Sequence, residues 1–272
     1  MLHSRLWHSV ELNFRDSLTP SHPKSKRAIL LFTRSPENEA RHKPLAHRLT
    51  FAERVGLYES FTRHVLAQAH ALDIPILIAT DEPEYDFARY SSNVAAVFPQ
   101  RGSSFGDKLG HALQSAFAQG YEEILCVGND CLELSTDDLR RAFAQLATRA
   151  LVLGAAKDGG VYLIGMRRAS LPQVLRTVQE CHWQTAIVRA DLLSSARRYA
   201  IATAVLCEHD DIDSTVALLH ARQNLRDISF LRRYLAKLFL LIAHPSAASP
   251  FLPNNFCHDP LRFQKAPPAF LE

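Results

Sequence analysis

Asp130 stands just past a short apolar run, Ile124-Leu125-Cys126-Val127, with Glu122-Glu123 before it and Gly128-Asn129 after it. Such a run reads as a buried central strand ending in a turn. In an open α/β sheet, ligands bind beyond the carboxyl ends of the strands. A carboxylate there, beside a glycine that permits close approach, suits a divalent cation. An Asp in a turn also caps its own backbone, and this stretch alone leaves both readings open.

A second acidic cluster follows a late strand: Cys207-Glu208-His209-Asp210-Asp211-Ile212-Asp213-Ser214. Carboxylates crowded together at a strand end are costly without a cation between them. An Asp-rich helix start favoured by the macrodipole explains one of them. Asp158, in Lys157-Asp158-Gly159-Gly160, is a turn residue by default, but two glycines would let a ligand reach the backbone. The cations lie early. Residues 33–48 carry Arg34, Arg41, Lys43 and Arg48 with Pro36 and Pro44, and read as a loop. That loop either holds phosphates through charge-assisted hydrogen bonds or is simply solvated. No glycine-rich phosphate cradle is present, so neither a P-loop nor a dinucleotide fingerprint is expected. Cys181-His182 has no partner pair at ligand spacing, so zinc is not expected.

The 272 residues, 47% hydrophobic and 22% charged, suit one large α/β domain or two small ones. A net charge of +3 is too mild to argue for nucleic acid. Five cysteines, an odd number without a CxxC pair, favour a reduced, cytoplasmic protein. No apolar run approaches the length of a membrane span, and the N-terminus lacks the apolar core of a signal peptide.

The elements that must position these residues alternate. Strands are expected at 28–32, 74–79, 94–98, 124–127, 150–155 and 161–165, with a late one at 199–206. The pair 150–155 and 161–165 reads as a hairpin beside an otherwise parallel sheet. Thr50 with Glu53 makes a capping box for a long helix, and Ser135 with Asp138 makes another. Ser103 or Ser104 caps a helix carrying Leu109, Leu113 and Phe117. Residues 171–198 read as helical with one break at 181–185, and Ser214 caps a short helix running through His220. Residues 225–243 form a separate helix with one basic side, suited to packing on the domain or on a second copy in a homodimer. Residues 1–27 read as an extension and 244–272 as a proline-rich tail.

Several stretches fall into one order: Phe32-Thr33-Arg34-Ser35-Pro36, Gln100-Arg101-Gly102 before Phe105-Gly106-Asp107-Lys108-Leu109, Gly128-Asn129-Asp130-Cys131, and Asp158-Gly159-Gly160-Val161-Tyr162-Leu163-Ile164-Gly165. Trp183-Gln184-Thr185 and Asp211-Ile212-Asp213-Ser214 complete it. Over about residues 28–222 this resembles the uncharacterised glycosyltransferase-like family of the GT-A superfamily. Molybdenum-cofactor guanylyltransferase and phospholactate guanylyltransferase are among that family's relatives. The resemblance implies a Rossmann-like GT-A fold, a mostly parallel sheet with helices on both faces, followed by a C-terminal helix and tail at 223–272. It also implies a nucleotide pocket above the first strand involving Thr33, Arg34, Lys43, Gln100, Gly102 and Gly106. Asp130, Asp211 and Asp213 would hold Mg²⁺ or Mn²⁺, and Asp158 would face the acceptor as a base or positioning group.

Three stretches depart from the pattern. The first loop lacks Pro-Gly and Lys-Thr-Arg-Leu and has Lys43 displaced by one position. Leu132 replaces a Pro, and Ser214-Thr215-Val216-Ala217 replaces Thr-Pro-Glu-Asp. The expected activity is metal-dependent glycosyl transfer from a nucleotide-sugar to an unknown acceptor. The alternatives are nucleotidyl transfer of the guanylyltransferase type, or a non-catalytic nucleotide-binding or assembly protein on the same fold.

Overall fold

The apolar runs line up as neighbours in one sheet, and alternate residues along each run serve its two faces. A computed structural model describes residues 25–43, 45, 49–212, 218 and 232–243. The strands are β1 (Arg27–Phe32), β2 (Ile76–Thr80), β3 (Val94–Pro99), β4 (Glu123–Val127), β5 (Leu151–Ala156), β6 (Val161–Arg167) and β7 (Thr203–His209). Their order in the sheet is β3-β2-β1-β4-β6-β5-β7. β1 pairs in parallel with both β2 and β4, and β2 pairs in parallel with β3. β6 is antiparallel to both β4 and β5, while β5 and β7 are parallel. The expected hairpin is therefore present, with its reversed strand inserted inside the sheet. All the other strands point the same way, so their carboxyl ends share one edge.

Helices cover both faces. On one face, α3 (Phe105–Ala118), α5 (Leu171–Glu180) and α6 (Val188–Arg198) pack on Ala28, Leu30, Ile124 and Cys126. On the other, α2 (Phe51–His70) and α4 (Thr136–Leu146) pack on Ile29, Leu31, Leu125 and Val127. A third apolar cluster sits beside the carboxyl edge, where Leu57, Tyr58 and Phe61 of α2 meet Leu132, Ile212, Leu218 and Tyr234. Tyr234 belongs to α7 (Arg232–Ala243). Capping boxes start α2 (Thr50 with Glu53), α3 (Ser104 with Asp107) and α4 (Ser135 with Asp138).

Some boundaries differ from the sequence reading. The first loop contains a helix, α1 (Pro36–His42). Ser35 caps it, Pro36 opens it, Glu37 and Glu39 lie in its first turn, and Arg41 and His42 lie in its last. Proline at a first helical position is pre-set for the helix, and the charges complement its dipole, so Pro36 begins a helix here instead of marking a loop. The late strand lies at 203–209, because Tyr199 to Ala202 serve to end α6 and turn the chain. The expected extension falls mostly outside the described residues, as do the short helix after Ser214, the tail and the first part of the C-terminal helix. Among the described residues, no helix is long and apolar enough to cross a membrane.

Candidate functional site

The sheet order changes direction between β1 and β4, and the crevice beyond their carboxyl ends is where an open α/β sheet takes a ligand. Lys43 bridges that crevice. Its Nζ lies 3.2 Å from Oδ2 of Asp130, beyond β4, and 3.2 Å from Oε2 of Glu39. Glu39 and Lys43 stand four residues apart at the end of α1, where i,i+4 side chains share a face. Burial works against the Lys43 ammonium, but Asp130 and Glu39 outweigh it and hold its pKa above the ordinary lysine value. Gly128 serves this geometry, because a Cβ there would lie 2.8 Å from Asp130 Oδ1. The room that sequence reasoning assigned to a ligand is filled by the carboxylate of Asp130 itself.

The late acidic segment reaches the same place. Ile212 N–H donates to the Asp130 carbonyl at 3.0 Å. Cys131 lies beside both clusters: burial pushes its thiol well up, and the Asp211 and Asp130 carboxylates push the same way. Asp213 lies outside the described residues. Among the described residues, no three or more His, Cys, Asp or Glu side chains are grouped so as to hold a metal. Lys43 is a cation set against Asp130. The described residues do not close a metal site here.

The other expected ligands share this edge with differing geometry. Arg34, directly beyond β1, is half-buried. Thr33 is buried, its N–H donates to Ala79 O and its hydroxyl to Arg34 O. Gln100 spends its side-chain amide on the backbone, donating to Thr33 O at 3.0 Å and Ala79 O at 3.1 Å, and so clamps the ends of β1 and β2. Gly102, at φ +137°, lies close against Asp107, the capping residue of α3. Gly106 is buried against Trp183, where a Cβ would meet the indole at 3.1 Å. Asp158, in the β5–β6 turn, accepts the Gly160 N–H at 2.8 Å, the bond of a turn Asp.

Sequence reasoning missed four participants. Asp81, just beyond β2, accepts Ser35 N–H and Asn38 Nδ2–H, both at 3.1 Å, and ties α1 to the sheet. Glu39 lay inside what read as loop. Tyr58 read only as part of the apolar stripe of α2. His209 sits between Asp138 (3.1 Å) and Glu133 (3.5 Å) and braces the β7 end against the segment after Asp130. The hydrogen bond to Asp138 raises the His209 pKa against the opposing effect of burial. Asp138 is held at about 2: burial opposes its charge, but hydrogen bonds from His209 and Ser135 win.

Residues 62–182 match the family described as "Uncharacterized protein conserved in bacteria (DUF2064)". The match runs from within α2 to just past the end of α5, and so includes Gln100, Asp130 and Asp158. Among solved structures, the fold is similar to that of a candidate nucleotide-diphospho-sugar transferase from Desulfovibrio desulfuricans G20. The TM-score is 0.68 at 24% identity, over 80% of this chain and 96% of that one. The two chains therefore share their fold, a mostly parallel sheet with helices on both faces. More distant likenesses are a 4-diphosphocytidyl-2C-methyl-D-erythritol synthase from Anaerococcus prevotii DSM 20548 (TM-score 0.48, 9% identity, 74% and 97% of the two chains) and a nucleotidyl transferase from Methanothermobacter (TM-score 0.47, 14% identity, 76% and 98%). No curated protein matches the sequence.

Proposed function

We propose that this chain is a transferase acting on a nucleotide-sugar, with the nucleotide diphosphate lodged in the crevice between β1 and β4. The observation that carries this reading is the Lys43–Asp130 pair at 3.2 Å, a cation and a carboxylate facing each other at the sheet's switch point. Arg34 lies on the same edge, one residue beyond Thr33. Two cations there would favour the negative charge that grows on a departing diphosphate, since fixed charges aimed at developing charge lower a barrier. Asp158, across the edge, is the proposed group on the acceptor side. The described residues do not close a metal site, so no step is assigned to Mg²⁺ or Mn²⁺.

Nucleotidyl transfer from a nucleoside triphosphate is the second reading, because the same crevice and cations serve either leaving group. A thermal-shift panel of nucleoside mono-, di- and triphosphates and nucleotide-sugars, with and without Mg²⁺ or Mn²⁺, tests the proposal. A ligand that binds the native state raises the melting temperature by mass action. Stabilisation by one nucleotide-sugar, followed by release of its nucleoside diphosphate on turnover, is the expected result. Release of pyrophosphate from a triphosphate would select the second reading. If no nucleotide shifts the melting temperature under any condition, the transferase proposal is wrong.

A further inference from the structure

The carboxylate that the resemblance gives to a metal already has a cation of the chain's own. Lys43 is 29% exposed and reaches Asp130 and Glu39 at equal distances of 3.2 Å. Glu39 is only 5% exposed. Tyr58 is 1% exposed, in the electrostatic field of Lys43, Glu39 and Asp130, and its hydroxyl is buried without a hydrogen-bond partner among the described residues. A buried donor left unsatisfied beside an ion pair marks a cluster not at its best arrangement, since such groups are normally paired.

We propose that Lys43 is the resident counter-ion of Asp130, so that a divalent cation reaches Asp130 only by displacing the ammonium. The inference rests on the reading of Asp130 as a residue of the nucleotide crevice. Its physical basis is like-charge repulsion. A cation on Asp130 would lie within a few ångströms of Nζ, where charges at a partly dry surface interact strongly. Lys43 therefore stands where a metal on Asp130 would need to be, and the ion pair itself disfavours the metal.

The test is Mn²⁺ titration of the full chain at low ionic strength, with free Mn²⁺ read by electron paramagnetic resonance. It uses wild type, Lys43→Met, Asp130→Asn and the double variant. Lys43→Met is expected to bind Mn²⁺ about tenfold or more tightly than wild type, and the double variant to lose that gain. If Lys43→Met binds no tighter, or if the gain survives Asp130→Asn, the proposal is overturned. Should Lys43→Met not fold, Lys43→Gln removes the charge but keeps a donor and is read the same way. UDP, GDP and CTP thermal shifts on the same proteins separate the two claims. Wild type that binds a nucleotide, with Mn²⁺ affinity indifferent to Lys43, keeps the transferase reading and rejects Lys43 as counter-ion. Wild type that binds no nucleotide, with a tenfold Mn²⁺ gain in Lys43→Met, keeps the counter-ion and rejects the transferase reading.

Discussion

Ile212 donates its backbone N–H to the carbonyl of Asp130 at 3.0 Å, although β6 and β5 separate their strands in the sheet. The chain leaving β7 must therefore turn back across two strand ends. Two further bonds hold it there, Lys157 N–H to His209 O at 3.0 Å and Asp210 N–H to Glu133 Oε2 at 2.9 Å. Asp211, the residue before Ile212, is thus carried to the β4 end by a backbone hydrogen bond.

The His209–Asp138 brace gives a pH dependence whose sign is set by two opposite shifts. Asp138 is lowered from 3.8 to about 2, so its contribution is present above the unfolded value and is lost as pH falls through about 2. Such a shift corresponds to stability on the order of 2 kcal/mol. His209 is raised above 6.5, so its contribution is full below 6.5 and is lost as pH rises through the higher folded value. Urea unfolding of wild type and Asp138→Asn between pH 3 and 9 checks this. The variant should be less stable, by most near pH 5 to 6. A constant difference across the range would rule the brace out as its source.

Arg34→Ala should weaken nucleotide binding, and by more at low ionic strength, because a cation–phosphate contact at a partly exposed site is screened by salt. Its melting temperature without ligand should stay within about 2 °C of wild type, as expected of a surface substitution. Isothermal titration at two salt concentrations makes the measurement. Unchanged affinity at both would remove Arg34 from the crevice.

Asp158 can be tested against its own turn. Asn keeps the oxygen that accepts the Gly160 N–H, so Asp158→Asn should leave the melting temperature nearly unchanged. If Asp158 acts on the acceptor, the same variant should lower turnover tenfold or more (about the smallest effect of losing a general base) while sparing nucleotide affinity. Full turnover in Asp158→Asn would leave only the turn role.

Asp81→Ala should loosen α1 without disturbing the sheet. It removes the acceptor for Ser35 N–H and Asn38 Nδ2–H, a loss on the order of 1 kcal/mol. Since α1 carries Glu39 and Lys43, hydrogen exchange should rise at residues 36–43 and nucleotide affinity should fall with it. Faster exchange spread evenly over the protein would mean that Asp81 supports the fold generally and not this helix.

Much of the fold was readable because its signals are local. Ile124 to Val127 is an apolar run between charges, and Thr50 with Glu53 is a helix start complete within four residues. The acidic segments read as strand-end features, and they do lie on one edge. The cation near Asp130 was less readable. Lys43 read as a phosphate ligand because charge and order alone were visible. Its pairing spans 87 residues and depends on a seven-residue helix that the prolines at 36 and 44 disguised. The same limit hid Asp81, whose partners lie 46 and 43 residues earlier. Leu132 shows the other side of this: a departure from the family pattern in sequence, it is a buried core residue grouped with Tyr58 and Ile212 in the structure.

The position of β7 also bears on how this protein is made. β5 is buried at all six residues, and among the described residues its second edge is closed by β7. During synthesis, Leu151 to Ala156 must wait beside β6 until the ribosome has delivered both intervening helices, with an apolar row of unpaired amides and carbonyls exposed meanwhile. A nascent chain arrested near residue 198 should accordingly be captured by chaperones or self-associate, and release of residues 199–212 should end that vulnerability. The strand that protects the chain from aggregation is followed at once by the segment that completes the crevice, so solubility and ligand competence would be acquired together, late in translation.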